Sequence, residues 1–230
     1  MDDPEKSPRI IVTQNGPYQV QGDVPIVQKT QVVSEYGEPL TWLKGKQIEG
    51  GEEPILCRCG QSADWPLCDS THLNIEFDGT ETVDRHTTLE RRYDCPPGKG
   101  LVVRKDAYLC MDSGFCGNRH TTIEEMMAHT DEPSVRAEIM GMIDRCPSGA
   151  FTFALDESEP DVEPDYPVEV ASTTEITSDG PIRGPLWVTG NIPVELSDGS
   201  LLETRNRVTL CNCGKSHQKP LCDGTHRYSK

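Results

Sequence analysis

Three cysteines and one histidine recur at the same intervals in two places. The first set is Cys57, Cys59, Cys68 and His72, and the second is Cys211, Cys213, Cys222 and His226. Both stretches read C-x-C-G-x-S-x3-P-L-C-D-x-T-H. Thiolate and imidazole are donors for transition metals, so each stretch reads as a ligand set. In an extended segment, residues two apart project to one side, so Cys57 with Cys59, and Cys211 with Cys213, can grip one metal atom. The following glycine lets the backbone turn tightly around it. Past Pro66 or Pro220, the aspartate after the third cysteine has the chemistry of a helix N-cap. That predicts a first helical turn with Cys68 and His72, or Cys222 and His226, on one face, able to hold a second metal atom. A helix N-terminus under an anionic cluster is also electrostatically favourable.

The elements that must position these loops repeat as well. Residues 16–26 and 184–194 share the form G-P-x-x-V-x-G-[DN]-[VI]-P-[IV], so each copy is a strand-rich scaffold followed by a ligand loop. Ile10 to Val12, Gln28 to Val33 and Leu40 to Leu43 are candidate strands of the first copy. Leu201 to Glu203 and Arg207 to Leu210 are those of the second, after a turn at Ser197 to Ser200. Trp42 and Trp187 read as sheet core, whereas Trp65, inside a ligand loop, is placed to cover a cluster from water.

Four further cysteines, Cys95, Cys110, Cys116 and Cys146, lie between the copies. Around them Leu101 to Arg104 reads as a strand, and Cys110 to Cys116 as a tight loop. A helix is expected from Thr121 or Thr122, each with a glutamate three residues on, with Ile123, Met126 and Met127 inward. A second begins near Pro133, carries Val135, Ile139, Met142 and Ile143 at helical spacing, and ends at Cys146-Pro147. Phe151 to Leu155 supplies a closing strand. Asp156 to Pro167 is acidic and proline-rich, a linker by composition. His86, His129 and His217 have no ligand partner in register and read as surface residues.

The 230 residues carry a net charge of -16 and only 34% hydrophobic residues. Small units with so little apolar content cannot each bury a large core and usually need a metal or cross-link. The negative charge argues against nucleic acid and anionic membrane as partners and suits docking to a basic patch on a redox partner. The first residues lack a basic and then apolar leader, and no apolar run approaches about 18 residues. A reducing, cytoplasmic compartment is the expectation, where clustered cysteines read as metal sites.

The doubled motif closely resembles the CDGSH iron-sulfur domain, the mitoNEET-like family, whose pattern is C-x-C-x2-[ST]-x3-P-x-C-D-G-[SAT]-H. Ser70 stands where that family usually has glycine. The resemblance implies a two-iron two-sulfur (2Fe-2S) cluster in each copy, held by Cys57, Cys59, Cys68 and His72 and by Cys211, Cys213, Cys222 and His226. A structural zinc knot and disulfides are the competing readings, although zinc sites favour C-x2-4-C over C-x-C spacing.

The middle piece resembles a single-cluster ferredoxin, in which the first ligands read C-x2-C-x2-C; here Ser113 occupies the middle place. Cys110, Cys116 and Cys146 would suit a 3Fe-4S cluster, or a 4Fe-4S cluster with one further ligand. Cys95, Ser113, Asp112 and His120 are the candidates for that place, and Cys95 has the strongest donor for iron.

The expected architecture is α+β. It places a CDGSH-type unit over residues 1–82, a ferredoxin-like βααβ unit over 83–155, the linker over 156–168 and a second CDGSH-type unit over 169–230. Each CDGSH-type unit is small and β-rich, with a short helix at its cluster, and the duplicated scaffold makes pairing of the two copies within the chain attractive. No hydrolytic or group-transfer constellation stands out, so the chain reads as an electron carrier rather than an enzyme. Delivery or sensing through a labile histidine ligand, and a zinc-stapled interaction module, are the alternatives.

Overall fold

The computed structural model describes residues 7–229. The first copy contributes β1 (Arg9–Val12), β2 (Tyr18–Gln21), β3 (Ile26–Val33), β4 (Pro39–Gln47) and β5 (Ile55–Leu56). The middle region contains α1 (Thr88–Arg91), β6 (Tyr93–Asp94), β7 (Val102–Lys105), α2 (Ile123–Met126), α3 (Pro133–Arg145) and β8 (Phe151–Ala154). The second copy contributes β9 (Glu169–Thr177), β10 (Gly180–Thr189), β11 (Val194–Glu195) and β12 (Arg207–Leu210). The class is α+β with strands dominant, and no helix of the described residues is long and apolar enough to cross a membrane.

The strands exchange between copies. In the first, β5, β2 and β1 lie side by side, and β11 of the second copy completes the sheet by pairing in parallel with β1. In the second, β12, β10 and β9 lie side by side, and β3 of the first copy completes the sheet by pairing in parallel with β9, with β4 outside it. The strand following G-P-x-x-V-x-G in each copy thus belongs to the sheet of the other. The apolar faces of both sheets merge into one core that includes Ile10, Val12, Val20, Ile26 and Leu56 with Val170, Leu186, Val188, Val194 and Leu210. Sharing lets two small units with few apolar residues build one larger core.

The middle region has its own core. β6, β7 and β8 form an antiparallel sheet, covered by Ile123 and Met126 of α2, Met127 in the 3-10 turn after it, and Ile139, Met142 and Ile143 of α3. Thr122 caps α2 through a reciprocal capping box with Glu125, and Pro133 opens α3, as their spacing predicts. The acidic segment 156–168 is pinned. Asp161 pairs with Arg92 and Arg104, and Glu163 lies 3.3 Å from the Arg207 guanidinium.

Two local expectations change. Leu201 to Glu203 is not a strand, because only Leu201 makes a bridge, to Glu195. The helix predicted at each ligand loop is a single 3-10 turn, Thr71–Asn74 or Thr225–Arg227. Ser70 and Gly224, at φ 68 and φ 82, put the chain in the left-handed region just after the aspartate, so a longer helix cannot start there.

Candidate metal centres

The two ligand loops are built by the same bonds, and those bonds explain the polar residues the motif repeats. Ser62 and Ser216 donate across their loops to the Leu67 and Leu221 carbonyls, at 2.6 and 2.7 Å. Asp69 accepts from the amides of Ala63 and Thr71, at 2.8 and 3.0 Å. Asp223 accepts from those of His217 and Thr225 at the same distances. Both loops turn through cis peptides at Trp65-Pro66 and Lys219-Pro220. Each aspartate therefore ties the loop to the turn that carries the histidine, rather than capping an α-helix.

Within each loop the donors lie in two pairs. Cys57 and Cys59 have sulfurs 3.7 Å apart, and Cys211 and Cys213 have sulfurs 3.6 Å apart. The Cys68 sulfur is 3.4 Å from His72 Nδ1, and the Cys222 sulfur is 3.4 Å from His226 Nδ1. Among the described residues no three His, Cys, Asp or Glu side chains converge on one ion-sized point. Paired donors fit two metal atoms better than the closed tetrahedron of a structural zinc site.

The loops also present the polarity that thiolates need. Backbone amides reach the sulfurs: Gln61 to Cys59, Ser70 to Cys68, Gly214 and Ser216 to Cys211, and Gly224 to Cys222. Burial works the other way. It pushes the Cys59 thiol up to about 11 and raises Cys68 and Cys222, with neighbouring cysteines adding to the rise. Cys211 goes the other way, lowered to about 6 by its hydrogen bond with Cys213 and by the loop amides, while its partner Cys213 is raised, so the raised thiols of each loop keep their protons until a cation compensates the charge. The residues therefore fit an anionic cluster with strongly bound metal ions. All ten cysteines are free thiols.

In the middle region Cys110, Cys116 and Cys146 act electrostatically on one another. Cys146 is buried, Cys116 half-buried and Cys110 exposed; desolvation raises the Cys116 thiol first, and Cys146 raises both Cys116 and Cys110. Cys95 is placed differently, in the apolar core beside β7. Desolvation raises its thiol to about 11, and the charges that act on it are Glu124, Lys105 and Asp94. Of the other candidates for a fourth ligand, Ser113 is buried, whereas Asp112 and His120 are exposed. Asp112 accepts from the Tyr228 hydroxyl, and His120 accepts from Arg119 at 2.9 Å.

The three ligand groups abut. A β-carbon on Gly60 would meet the Cys213 carbonyl oxygen at 2.7 Å, and one on Gly214 would meet the Cys59 carbonyl oxygen at 2.8 Å. Both glycines have positive φ, 79 and 77, so the residue after each C-x-C must be glycine for conformation and for contact. A β-carbon on Gly224 would meet the Met111 carbonyl oxygen at 2.9 Å, which sets the second loop against the Cys110–Cys116 loop.

Several positioning residues escaped the sequence reading. Tyr18, fully buried in the first copy, donates to the Cys211 carbonyl of the second at 2.6 Å. Gln31 on β3 donates to the Ser113 carbonyl and accepts from the Ile176 amide, joining the middle loop to β9. Arg58, between Cys57 and Cys59, is buried and donates to the carbonyls of Thr13 and Gly79. Trp65 is half-buried, and its ring lies under the Arg183 guanidinium. Trp42 and Trp187 pack together with Phe115, the neighbour of Cys116. His86, His129 and His217 are exposed.

A family profile described as an iron-binding zinc finger of CDGSH type matches residues 15–73 and 183–227. A second, described as a divergent 4Fe-4S mono-cluster, matches residues 96–156. No curated protein and no solved structure matches the chain.

Proposed function

From a chain that carries two CDGSH-type iron-binding domains flanking a divergent 4Fe-4S mono-cluster domain, we propose an electron carrier whose three centres form one relay. In this reading Cys57, Cys59, Cys68 and His72 hold one 2Fe-2S cluster, and Cys211, Cys213, Cys222 and His226 hold the second. Cys110, Cys116 and Cys146 hold a ferredoxin-type cluster, with four irons the better fit to the matching family and three the alternative. Such groups, when bound, take up and release single electrons at potentials set by ligands, hydrogen bonds and exposure.

The observation that carries this reading is the contiguity of the loops. Gly224 rests on Met111, while Gly60 and Gly214 rest on Cys213 and Cys59. The order is therefore middle loop, second loop, first loop. The loop amides offset sulfur charge, and Tyr18 and the shared core exclude water from the second loop. The net charge of -16 favours a reductase or acceptor with a basic docking patch and disfavours nucleic acid and anionic membranes. The free thiols suit a reducing cytoplasm.

Iron, acid-labile sulfide and zinc analysis of the purified protein, with EPR during a redox titration, tests the assignment. Equal iron and sulfide, little zinc and two classes of reduced signal are expected. Colourless protein with stoichiometric zinc would instead make the chain a zinc-stabilised interaction module. Cluster donation is the second reading, favoured by one observation: among the described residues no side chain hydrogen-bonds His72 Nε2, whereas Glu175 stands behind His226 Nε2, so His72 is the less supported ligand of the two. Mixing holo-protein with an apo-ferredoxin separates the two: cluster migration faster than electron exchange with a reductase would make the chain a donor, and the reverse a carrier.

A further inference from the structure

The two CDGSH-type loops share their ligands but not what stands behind the histidine. Thr13 and Thr173 are equivalent, since each donates its hydroxyl to the proline carbonyl of its own G-P pair, at 2.7 and 2.6 Å. Thr13 and Gly16 bracket two residues, whereas Thr173 and Gly184 bracket ten. The second copy thus has a longer β9–β10 hairpin, and that added length carries Glu175. Its carboxylate is fully buried. One oxygen lies 3.1 Å from His226 Nε2, and the other accepts from Arg227. Gly184 makes the space, because a β-carbon there would meet the Glu175 carboxylate at 3.1 Å.

His226 turns Nδ1 toward Cys222 and Nε2 toward Glu175, so the carboxylate fixes the tautomer with the proton on Nε2 and the lone pair on Nδ1. A carboxylate behind a ligating histidine makes the imidazole a stronger donor and holds its ring in place. Arg227 pairs with the second carboxylate oxygen of Glu175 and offsets its charge, so the effect acts through the hydrogen bond. His72 has no such partner among the described residues, and its neighbour Leu73 is 76% exposed.

We propose that Glu175 is a positioning residue that makes the second CDGSH-type centre lower in reduction potential and slower to lose its cluster than the first. The inference rests on the assignment of clusters to these loops. It divides the relay into a tightly held inner station, next to the middle loop, and a looser outer one at His72.

The test uses the full-length holo-protein, with His72→Cys and His226→Cys to assign the two EPR signals. In the wild type the second centre should be reduced at the lower potential and should bleach more slowly under an iron chelator. Glu175→Gln should raise the potential of the second centre alone and speed its bleaching about tenfold, and Glu175→Asp should recover part of both. Equal potentials and equal bleaching in the wild type would overturn the proposal, and that comparison needs no folded variant. So would a Glu175→Gln protein whose two centres shift together or not at all. Protein with no iron-sulfur absorbance would overturn the cluster assignment itself, which is a distinguishable failure.

Discussion

Arg207 Nη1 lies 3.1 Å from the carbonyl oxygen of Cys146 and donates to it. The same nitrogen donates to the Ile143 and Asp144 carbonyls, at 2.8 and 3.0 Å. A side chain from β12, the strand that leads into Cys211, therefore caps the C-terminal end of α3 and fixes the backbone of a middle-site cysteine. A cation suits a helix C-terminus electrostatically, and this one also satisfies carbonyls that water cannot reach.

Replacing Arg207 with methionine should cost about 3 kcal/mol, since buried carbonyls and Glu163 lose their partner. The middle site should lose iron while the first CDGSH-type loop keeps its own. Denaturant titration and EPR of the same preparation measure both effects.

Gly60→Ala and Gly214→Ala should each damage both CDGSH-type loops. The new β-carbon meets backbone of the opposite copy at 2.7–2.8 Å, and an L residue at positive φ costs about 1–2 kcal/mol before that contact is counted. Iron at both loops should fall together in either variant. Loss confined to the mutated copy would mean that the two loops are built independently.

Ser70→Gly should stabilise the protein. Ser70 holds φ 68 where Gly224 holds φ 82 in the other copy. Removing its β-carbon relieves left-handed strain, while added freedom in the unfolded chain offsets part of the gain. A net increase of about 0.5–1 kcal/mol in denaturant unfolding is expected, with no change in the EPR signal of the second centre.

Asp223 gives an acid limb to stability. Burial acts to raise its carboxyl, but the His217 and Thr225 amides overcome that and hold it at about 2. A carboxyl depressed in the folded state contributes stability above its unfolded value near 4 that disappears as pH falls through 2. The stability advantage of wild type over Asp223→Asn should therefore be full at pH 5 and shrink steadily toward pH 2.5. An advantage independent of pH would mean that the ionised form is not what the loop uses.

Features set by short-range chemistry were legible from the residues alone. Cys68 and His72 sit together because they are four positions apart around one tight turn, and α3 starts and stops at Pro133 and Cys146 because proline and its neighbours dictate those ends. Misreadings came from long-range effects or from one dihedral. The left-handed Ser70 and Gly224 shorten the predicted helices to single turns, and Leu201 lies at a sheet margin where only one bridge forms. Tyr18 and Gln31 owe their roles to the exchange of strands between copies, Glu175 to the lengthened hairpin of its own copy, and Arg207 to the packing of β12 against the end of α3, contacts between residues 51 to 193 positions apart. Local pattern carries no trace of such partners. Comparing the two repeats does expose the lengthened hairpin that carries Glu175.

The most direct test of the relay is the EPR spectrum of the fully reduced holo-protein, compared with that of a Cys110→Ser/Cys116→Ser variant lacking the middle centre. Centres in backbone contact should show spin–spin splitting or broadened, fast-relaxing signals, and the second-loop signal should sharpen when the middle centre is removed. A wild-type spectrum that is the plain sum of isolated centres, unchanged in the variant, would contradict the account.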